Sequence, residues 1–193
     1  MNVIDKYKEW QVDLIREEVN KNTFPYAVLM ENWGSDYNLS TLVRNANAFG
    51  AKEVFYLKEK KKWDPRGAVG THHYTNVQHL SSYEEVEKLK KRYKFVAIEN
   101  GRWSAQELAN YEWKADTLLV FGEEGNGISE RLLAICEDIV YIPQYGSVRS
   151  LNVGTTSGII MNDLVSKTIY KAEFNNGRTT KRRAGRPQTQ AAL

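Results

Sequence analysis

The chain has 193 residues and a formal net charge of +3, with 41% hydrophobic and 26% charged residues. That length and composition predict one globular domain of ordinary size and exclude wholesale disorder. The sequence contains one cysteine, Cys136, so an internal disulfide is excluded and a reducing, cytoplasmic setting is expected. No stretch has the character of a signal peptide or a membrane span, so no membrane partner is expected.

Apolar residues near the amino end recur at three- and four-residue spacing. Val3, Tyr7, Trp10 and Leu14 follow this spacing, which predicts an amphipathic helix within an extension over residues 1–22. The apolar face of such a helix could pack on its own chain or on a partner, and both alternatives stay open.

From residue 23 onward, apolar strand-like runs alternate with amphipathic segments. Strands are predicted at "FPYAVLMEN", "KEVFYL", "KFVAIEN", "DTLLVFG" and "DIVYIP". Helices are predicted from Asn38 and at "YEEVEKLKKRY", "SAQEL", "SERLLAIC" and "LNVGTTSGIIMNDLVSKTIY". This alternation predicts an α/β domain over residues 23–172, with a mainly parallel sheet covered by helices on both faces. Ligands of such sheets bind at the carboxyl ends of the strands, so the site is expected in the loops that follow them.

Positive charge is concentrated at the carboxyl end of the chain. Residues 171–193 contain six basic residues and one acid, a net +5, which leaves −2 for residues 1–170. Residues 173–193 also have few apolar side chains and are predicted to form a basic, flexible tail. Such a tail suits nucleic acid, although a solvated tail that only aids solubility is the plainer alternative.

The glycine-rich segment "FGEEGNGIS" follows a predicted strand. Its glycines would let backbone amides approach a ligand closely, while its two glutamates would repel a bare triphosphate. A ligand with a cationic or hydrogen-bond-donating part fits better. The alternative is a simple turn into a helix that Ser129 caps.

Two further segments carry polar residues beside predicted helices. In "NLSTLVRNANAFG", Asn38 and Arg44 lie six residues apart, which predicts that they lie within two turns of one helix on a related face. Alternatively, Asn38 could simply cap the helix and Arg44 could simply extend to water. In "IPQYGSVRSLNVGTTSGII", Ser150 and Asn152 lie where a loop enters a helix with free amides. The small residues after Asn152 cost helix propensity, which indicates that another segment approaches closely there.

Taken together, these three motifs resemble, in order and spacing, those of the SpoU/TrmH family of the SPOUT class. Members of this family are RNA ribose 2′-O-methyltransferases, and the resemblance covers about residues 25–170. It implies an α/β fold with a C-terminal trefoil knot, S-adenosyl-L-methionine (AdoMet) bound in the knot, and a homodimer with the closing helix at its interface. The tight knot crossing would give the small residues after Asn152 a purpose.

The resemblance also implies the site residues. The family's motif residues correspond here to Arg44, Asn38, Ser150, Asn152 and Glu124. The family's cofactor-binding positions correspond to Ala97, Ile98, Gly122, Ile142 and Leu151, and no metal is implied. Because a guanidinium stays protonated, Arg44 is expected to clamp an RNA phosphate and stabilise a developing alkoxide, rather than to act as the general base proposed for the family.

The sequence indicates the substrate less specifically than it indicates the reaction. RNA is the expected substrate and tRNA is favoured over rRNA. Arg149 replaces the acid common in members that methylate tRNA guanosine, and resembles members that modify the wobble ribose. The basic runs "KEKKKW" and "KLKKRYK" could contact phosphates, although a charged surface helix is the default interpretation of the second. A non-catalytic RNA-binding protein on the same scaffold is the alternative, and a Rossmann enzyme ranks last because no G-x-G-x-x-G follows the first strand.

Overall fold

The computed structural model of the protein describes residues 3–34 and 36–170. In these ranges the strands are β1 Phe24–Glu31, β2 Ala51–Leu57, β3 Val77–Leu80, β4 Lys94–Ile98, β5 Gln106–Glu107, β6 Thr117–Phe121 and β7 Asp138–Tyr141. The α-helices are α1 Val12–Asn20, α2 Asp36–Ala48, α3 Tyr83–Lys88, α4 Glu130–Leu133 and α5 Val153–Val165, and α5 continues as a π-helical turn over Ser166–Tyr170. The tail predicted at 173–193 lies outside the described residues.

All seven described strands form one parallel sheet in the order β3-β2-β1-β6-β4-β7-β5. Strand β1 lies inside the sheet and pairs with β2 on one side and β6 on the other, where Val28 lies opposite Val54 and Leu119 respectively. The prediction of a mainly parallel α/β sheet is therefore confirmed.

The two faces of the sheet bury different sets of helices. Along β1, Tyr26, Val28 and Met30 point to the face covered by α2 and α5, which we call the α2/α5 face. Ala27 and Leu29 point to the opposite face, covered by α3 and α4, which we call the α3/α4 face. Successive strand residues face opposite sides of a sheet, so a continuous apolar run such as "YAVLM" fills both cores.

Two sequence predictions differ from the structure. The segment "SAQEL" was expected to form a helix, but it contains the edge strand β5, which pairs with Val140 and Tyr141 of β7 and leads into a 3-10 turn over Leu108–Asn110. Pairing with a sheet edge has overridden local helix propensity here. At the amino end the α-helix begins at Val12, because Gln11 is extended; the earlier apolar residues flank a 3-10 turn over Asp5–Tyr7.

Helices α2 and α5 pack closely through small residues. An ideal Cβ on Gly154 would lie 2.7 Å from Thr41 Cγ2, and one on Gly158 would lie 3.4 Å from Asn45 Nδ2. Asn45 also donates hydrogen bonds to the Gly154 carbonyl at 2.8 Å and to Ser157 Oγ at 2.9 Å. The small residues that interrupt helix propensity in α5 thus allow α2 to approach.

A polar cluster joins β7 to β4 near the sheet edge. Asp138 accepts hydrogen bonds from Lys94 and from the Tyr111 hydroxyl, the latter at 2.7 Å. Burial alone would raise the pKa of Asp138, but these hydrogen bonds and the Lys94 charge outweigh burial, and the pKa of Asp138 is lowered overall. The carboxylate is therefore held in its charged form.

Cys136 lies between α4 and β7 on the α3/α4 face. Its thiol donates to the Leu132 carbonyl at 3.3 Å. Burial, followed by the charge of Glu137, raises the pKa of Cys136 to about 12. The thiol is consequently protonated at neutral pH.

Across the described ranges, no helix combines the length and the hydropathy needed to span a membrane.

Candidate active site

A cavity of about 520 Å³ opens at the carboxyl ends of β4, β6 and β7. Residues 98–102 after β4, residues 121–127 after β6 and parts of 142–156 after β7 line it. The site therefore lies where the parallel topology predicts it, in the loops that follow the strands. Most of the lining is loop backbone and polar side chain, which offers many hydrogen-bonding groups to a ligand.

The glycine-rich loop over residues 122–129 folds back on itself. The Gly127 amide donates to the Glu123 carbonyl at 3.0 Å, and a Cβ on Gly122 would lie 2.0 Å from the Gly127 carbonyl carbon. Gly127 has φ +67°, and a Cβ there would lie 2.5 Å from Glu99 Oε2. Glycine is required at both positions, since any side chain would meet another part of the loop or its support.

Two carboxylates hold the end of this loop by consecutive backbone amides. Glu99 Oε2 accepts from the Ile128 amide at 3.0 Å, and Glu31 Oε2 accepts from the Ser129 amide at 2.8 Å. Ser129 in turn caps α4, with its Oγ accepting from the Leu132 amide at 3.3 Å. Glu31 and Glu99 directly follow the apolar cores of β1 and β4, so the sheet itself fixes the loop.

Glu31 is almost fully buried at 1% exposure, and all its partners are donors. Besides Ser129, its Oε1 accepts from the Tyr83 hydroxyl at 2.5 Å and from Trp33 Nε1 at 3.1 Å. Burial, and next the hydrogen bond to Glu31, raises the pKa of Tyr83, so its hydroxyl remains a donor at neutral pH. A buried carboxylate is tolerated here because three hydrogen bonds compensate it.

Three of the residues implied by the family resemblance form one hydrogen-bonded cluster. Asn152 Nδ2 donates to Asn38 Oδ1 at 2.8 Å and to Glu124 Oε1 at 3.2 Å, while Asn38 Nδ2 donates to Glu124 Oε2 at 3.3 Å. Asn152 is also the N-cap of α5, and its Oδ1 accepts from the Thr155 amide at 3.2 Å. The cluster ties α2, the glycine-rich loop and the start of α5 together at the rim of the cavity.

Arg44 lies outside this cluster. Its side chain is exposed on α2 and forms no hydrogen bond or ion pair with another described residue. Because it lies six residues beyond Asn38, the two side chains leave the helix about 120° apart around its axis, and the expectation of a related face is wrong. The structure therefore presents Arg44 to solvent, where an RNA could reach it, and leaves Asn38 directed to α5.

The cofactor-binding positions implied by the resemblance fall mostly on the cavity. Ile98, Gly122, Ile142 and Leu151 line it, whereas Ala97 is fully buried within β4 behind it. Ser150 and Glu124 line the cavity too.

Several residues at the site escaped the sequence reasoning. Gln144 lines the cavity, and its buried Oε1 has no hydrogen-bond partner among the described residues. Glu31 and Glu99 were also missed, although both belong to the same pattern, an apolar strand ending in Glu-Asn ("VLMEN" and "VAIEN"). That repetition was the available signal. Within the described ranges, no cluster of three or more His, Cys, Asp or Glu residues could hold a metal ion.

Comparison with known proteins shows the family of this chain. The model of the SpoU rRNA Methylase family matches residues 25–162, and the chain belongs to that family. A tRNA (guanosine(18)-2′-O)-methyltransferase of Thermus thermophilus is 30% identical over 155 residues, which cover 75% of this chain and 77% of the relative.

Solved structures share the fold. The crystal structure of the Aquifex aeolicus TrmH/SpoU tRNA modifying enzyme superposes with a TM-score of 0.73 at 24% identity, covering 85% of each chain. The SpoU methyltransferase AviRb of Streptomyces viridochromogenes, in complex with the cofactor AdoMet, gives a TM-score of 0.69 at 22% identity. This superposition covers 76% of this chain and 62% of the AviRb chain.

Proposed function

We propose that the protein is an AdoMet-dependent RNA methyltransferase that transfers a methyl group to a ribose 2′-hydroxyl, with tRNA as its substrate. The observation that carries the proposal is the cavity at the carboxyl ends of β4, β6 and β7, with the Asn38–Glu124–Asn152 cluster at its rim. Membership of the SpoU family supports the reaction, and the tRNA methyltransferase of Thermus thermophilus supports the substrate class.

The residues of the cavity fit AdoMet. Gln144 Oε1 is a buried acceptor with no partner in the described part of the chain, and it would accept a hydrogen bond from an amino group. Glu99, Glu123 and Glu124 line the same cavity and complement a ligand that carries a sulfonium and an ammonium charge. Ile98, Gly122, Ile142 and Leu151 would hold the cofactor. When bound, AdoMet supplies an activated methyl group and its own leaving group.

The remaining catalytic requirement is to position the ribose and stabilise its oxygen. Arg44 would hold the phosphate beside the target ribose and lower the cost of charge on the 2′-oxygen, since its guanidinium remains protonated. Asn38 and Asn152 would keep the rim in the geometry that admits the ribose, while Glu124 and Ser150 would hold the loops around it. Orientation of this kind accounts for much of the rate of a reaction whose leaving group is already activated.

A direct assay tests the proposal. The purified protein would be incubated with labelled AdoMet and either unmodified total tRNA or unmodified rRNA, followed by nuclease digestion and mass spectrometry. A new 2′-O-methylated nucleoside from tRNA is the expected result. Methylation of rRNA alone would reassign the substrate, and AdoMet binding without transfer to either pool would favour a non-catalytic RNA-binding protein.

Three finer features belong to the same proposal. We propose that the SpoU domain spans residues 23–172 between the extension at 1–22 and the basic tail at 173–193, and that it acts in the cytoplasm. Its last two motifs would form a trefoil knot, which the bonds of Asn152 to α2 and to the glycine-rich loop support. A crystal structure that traces residues 117–170 without threading would contradict the knot.

We also propose a homodimer with α5 at the interface. Ile159 and Tyr170 are 38% and 53% exposed on α5 and the turn that follows it, and exposed apolar groups on one element suit a partner chain. Light scattering would give twice the chain mass of 22.2 kDa. A monomer mass at micromolar concentration would contradict the proposal.

A further inference from the structure

The sequence contains two lysine-rich runs, and the fold separates them completely. Lys60, Lys61 and Lys62 precede the segment that packs on α2, so they belong to the α2/α5 face. Lys88, Lys90 and Lys91 lie on α3 and the turn after it, which cover the α3/α4 face. Arg44 lies on α2. One lysine run therefore shares a face of the sheet with Arg44, and the other lies across the sheet from it.

The first run belongs to a loop over residues 58–66, which we call the lysine loop. The loop contains five basic residues and two acids. Lys60, Lys61 and Lys62 are exposed, and their side chains form no hydrogen bond or ion pair with any described residue. Three such ammonium groups in sequence repel one another and have no protein partner to offset that repulsion, so the loop would attract an external anion.

The backbone of the lysine loop is anchored to the body of the protein. The Tyr56 hydroxyl donates to the Lys61 carbonyl at 2.5 Å, and Trp63 packs against the Tyr56 ring with centroids 6.1 Å apart. Ser40 Oγ of α2 donates to the Asp64 carbonyl at 2.5 Å. The backbone in the middle of the lysine run and the segment directly after it are thus fixed relative to α2.

The segment that follows the lysine loop runs alongside α2 past Arg44. At one end, Ser40 bonds Asp64; at the other, Asn47 Nδ2 donates to Thr75 Oγ1 at 3.2 Å. Arg44 is four residues after Ser40 and three before Asn47, so it shares their stripe of the helix. The lysines, this stripe and the cluster at the cavity rim consequently follow one another across the same face.

Exposed groups connect the lysine loop to Arg44. Tyr37 is 71% exposed and lies seven residues before Arg44, on the same side of α2. Arg66 is near enough to Tyr37 for the two to interact electrostatically, although its hydrogen bonds to Asp64, at 2.5–3.0 Å, dominate its environment and raise the pKa of Arg66. An aromatic ring between cationic groups suits a nucleic acid, which offers both phosphates and stacking bases.

We propose that the lysine loop is a docking surface for the phosphate backbone of the substrate RNA, and that it directs the strand along α2 to Arg44 and the cavity. This inference rests on the proposed function for the identity of the RNA. The lysines of the α3/α4 face lie across the sheet from Arg44 and would make no productive contact. Lys90 there already has protein partners, a 3.2 Å ion pair with Glu137 and a 2.9 Å hydrogen bond to the Ile135 carbonyl.

A pair of matched triple variants tests the proposal. Lys60, Lys61 and Lys62 would be changed to glutamine in one variant, and Lys88, Lys90 and Lys91 in the other, so that each loses three charges. Binding of an unmodified tRNA transcript would be measured from 50 to 200 mM salt, with AdoMet binding and thermal melting as checks of folding. The lysine-loop variant should bind tRNA about tenfold more weakly than wild type, and its slope of log K against log salt should be shallower by about 2 to 3. The control variant should keep the wild-type slope.

The outcomes separate this inference from the proposed function. Equal losses in the two variants, or no loss in the lysine-loop variant, would overturn the docking surface even if the wild-type protein methylates tRNA. The two variants could differ in tRNA binding as expected while the wild-type protein transfers no methyl group. That result would support the docking surface and contradict the proposed reaction. Wild-type protein that binds no RNA would reject both.

Discussion

Arg44 is the residue whose surroundings make the clearest prediction about chemistry. It is exposed, has no hydrogen-bond or ion-pair partner within the described ranges, and is not among the residues that line the cavity. Arg44→Ala should therefore abolish methyl transfer while leaving AdoMet affinity within about twofold of wild type, because only contacts made in the transition state are lost. Lys114→Ala, just before the amino end of β6 and therefore at the end of the sheet away from the cavity, removes an exposed positive charge with no partner in the described ranges and should leave transfer unchanged. Isothermal titration and a methyl-transfer assay make the comparison, and loss of AdoMet binding in Arg44→Ala would show that Arg44 is misplaced.

Glu31 makes a second prediction at the scale of single atoms. Its two oxygens accept from the Tyr83 hydroxyl, Trp33 Nε1 and the Ser129 amide. Glu31→Gln replaces one carboxylate oxygen by an NH2 group, which must then face one of the present hydrogen-bond donors. The substitution should therefore lower the free energy of unfolding by about 1–3 kcal/mol. Because the same contact holds the glycine-rich loop, AdoMet affinity should fall as well.

The matched control for Glu31→Gln is Glu85→Gln. That carboxylate also accepts from a backbone amide, Ser81 at 2.7 Å, but its residue is only partly buried and does not line the cavity. The control should change neither AdoMet affinity nor the melting temperature appreciably. Normal AdoMet affinity in Glu31→Gln would mean that the loop keeps its shape without this contact.

At the scale of elements, the contact between α2 and α5 predicts opposite effects for two glycines four residues apart. A Cβ at Gly154 would lie 2.7 Å from Thr41 Cγ2, whereas one at Gly158 would lie 3.4 Å from Asn45 Nδ2. Gly154→Ala should destabilise the protein by about 1–3 kcal/mol through overpacking. Gly158→Ala should be neutral or should stabilise by up to about 1 kcal/mol, since alanine favours the helix.

A second change at the same contact tests the cause. Thr41→Ser removes the crowding methyl group but keeps the hydroxyl that donates to the Tyr37 carbonyl at 3.1 Å. In a Gly154→Ala background it should restore part of the lost stability in urea denaturation. Additive losses from the two substitutions would show that the helices are not in contact at this point.

The elements also show what the sequence could and could not predict. The five long or strongly apolar strands and the closing helix were predicted, since their patterns persist over many residues. Strand β3 was missed because "VQHL" is short and half-polar, and β5 was mistaken for helix because only its pairing with β7 makes it a strand. At the site, the expectation that Asn38 and Arg44 share a related face of the helix was wrong, because a six-residue spacing places them about 120° apart and only Asn38 bonds to α5. The loop-holding role of Glu31 depends on contacts with residues 83 and 129, which no local pattern contains.

For the molecule as a whole, the cluster at Asp138 predicts how stability depends on pH. The folded-state pKa of Asp138 lies below the ordinary value of about 3.9, so its stabilisation is complete above that value and is lost as the pH falls through the folded pKa. Asp138→Asn should lower the unfolding free energy by about 1–2 kcal/mol at pH 7, and the difference from wild type should narrow below about pH 4. Thermal melts from pH 7 to pH 3.5 measure this gap.

The exposed pair of Asp5 with Lys8, at 2.7 Å, provides the control. Asp5→Asn should change the melting temperature little at any pH, because exposed pairs contribute little. The difference in stability between wild type and Asp138→Asn could instead stay constant from pH 7 to pH 3.5. That result would show that the loss of stability comes from packing and not from the charge of Asp138.

Because burial raises the pKa of the Cys136 thiol to about 12, thiol-directed reagents should react with this cysteine only slowly at neutral pH. Since the sequence contains no other cysteine, a single cysteine introduced by design would be the one reactive handle on the surface. Placed in the lysine loop, it could carry a photo-crosslinker or a fluorophore and report which nucleotides pass over that face during a reaction. The low reactivity expected of Cys136 would therefore allow the path of a bound RNA to be mapped from one introduced cysteine.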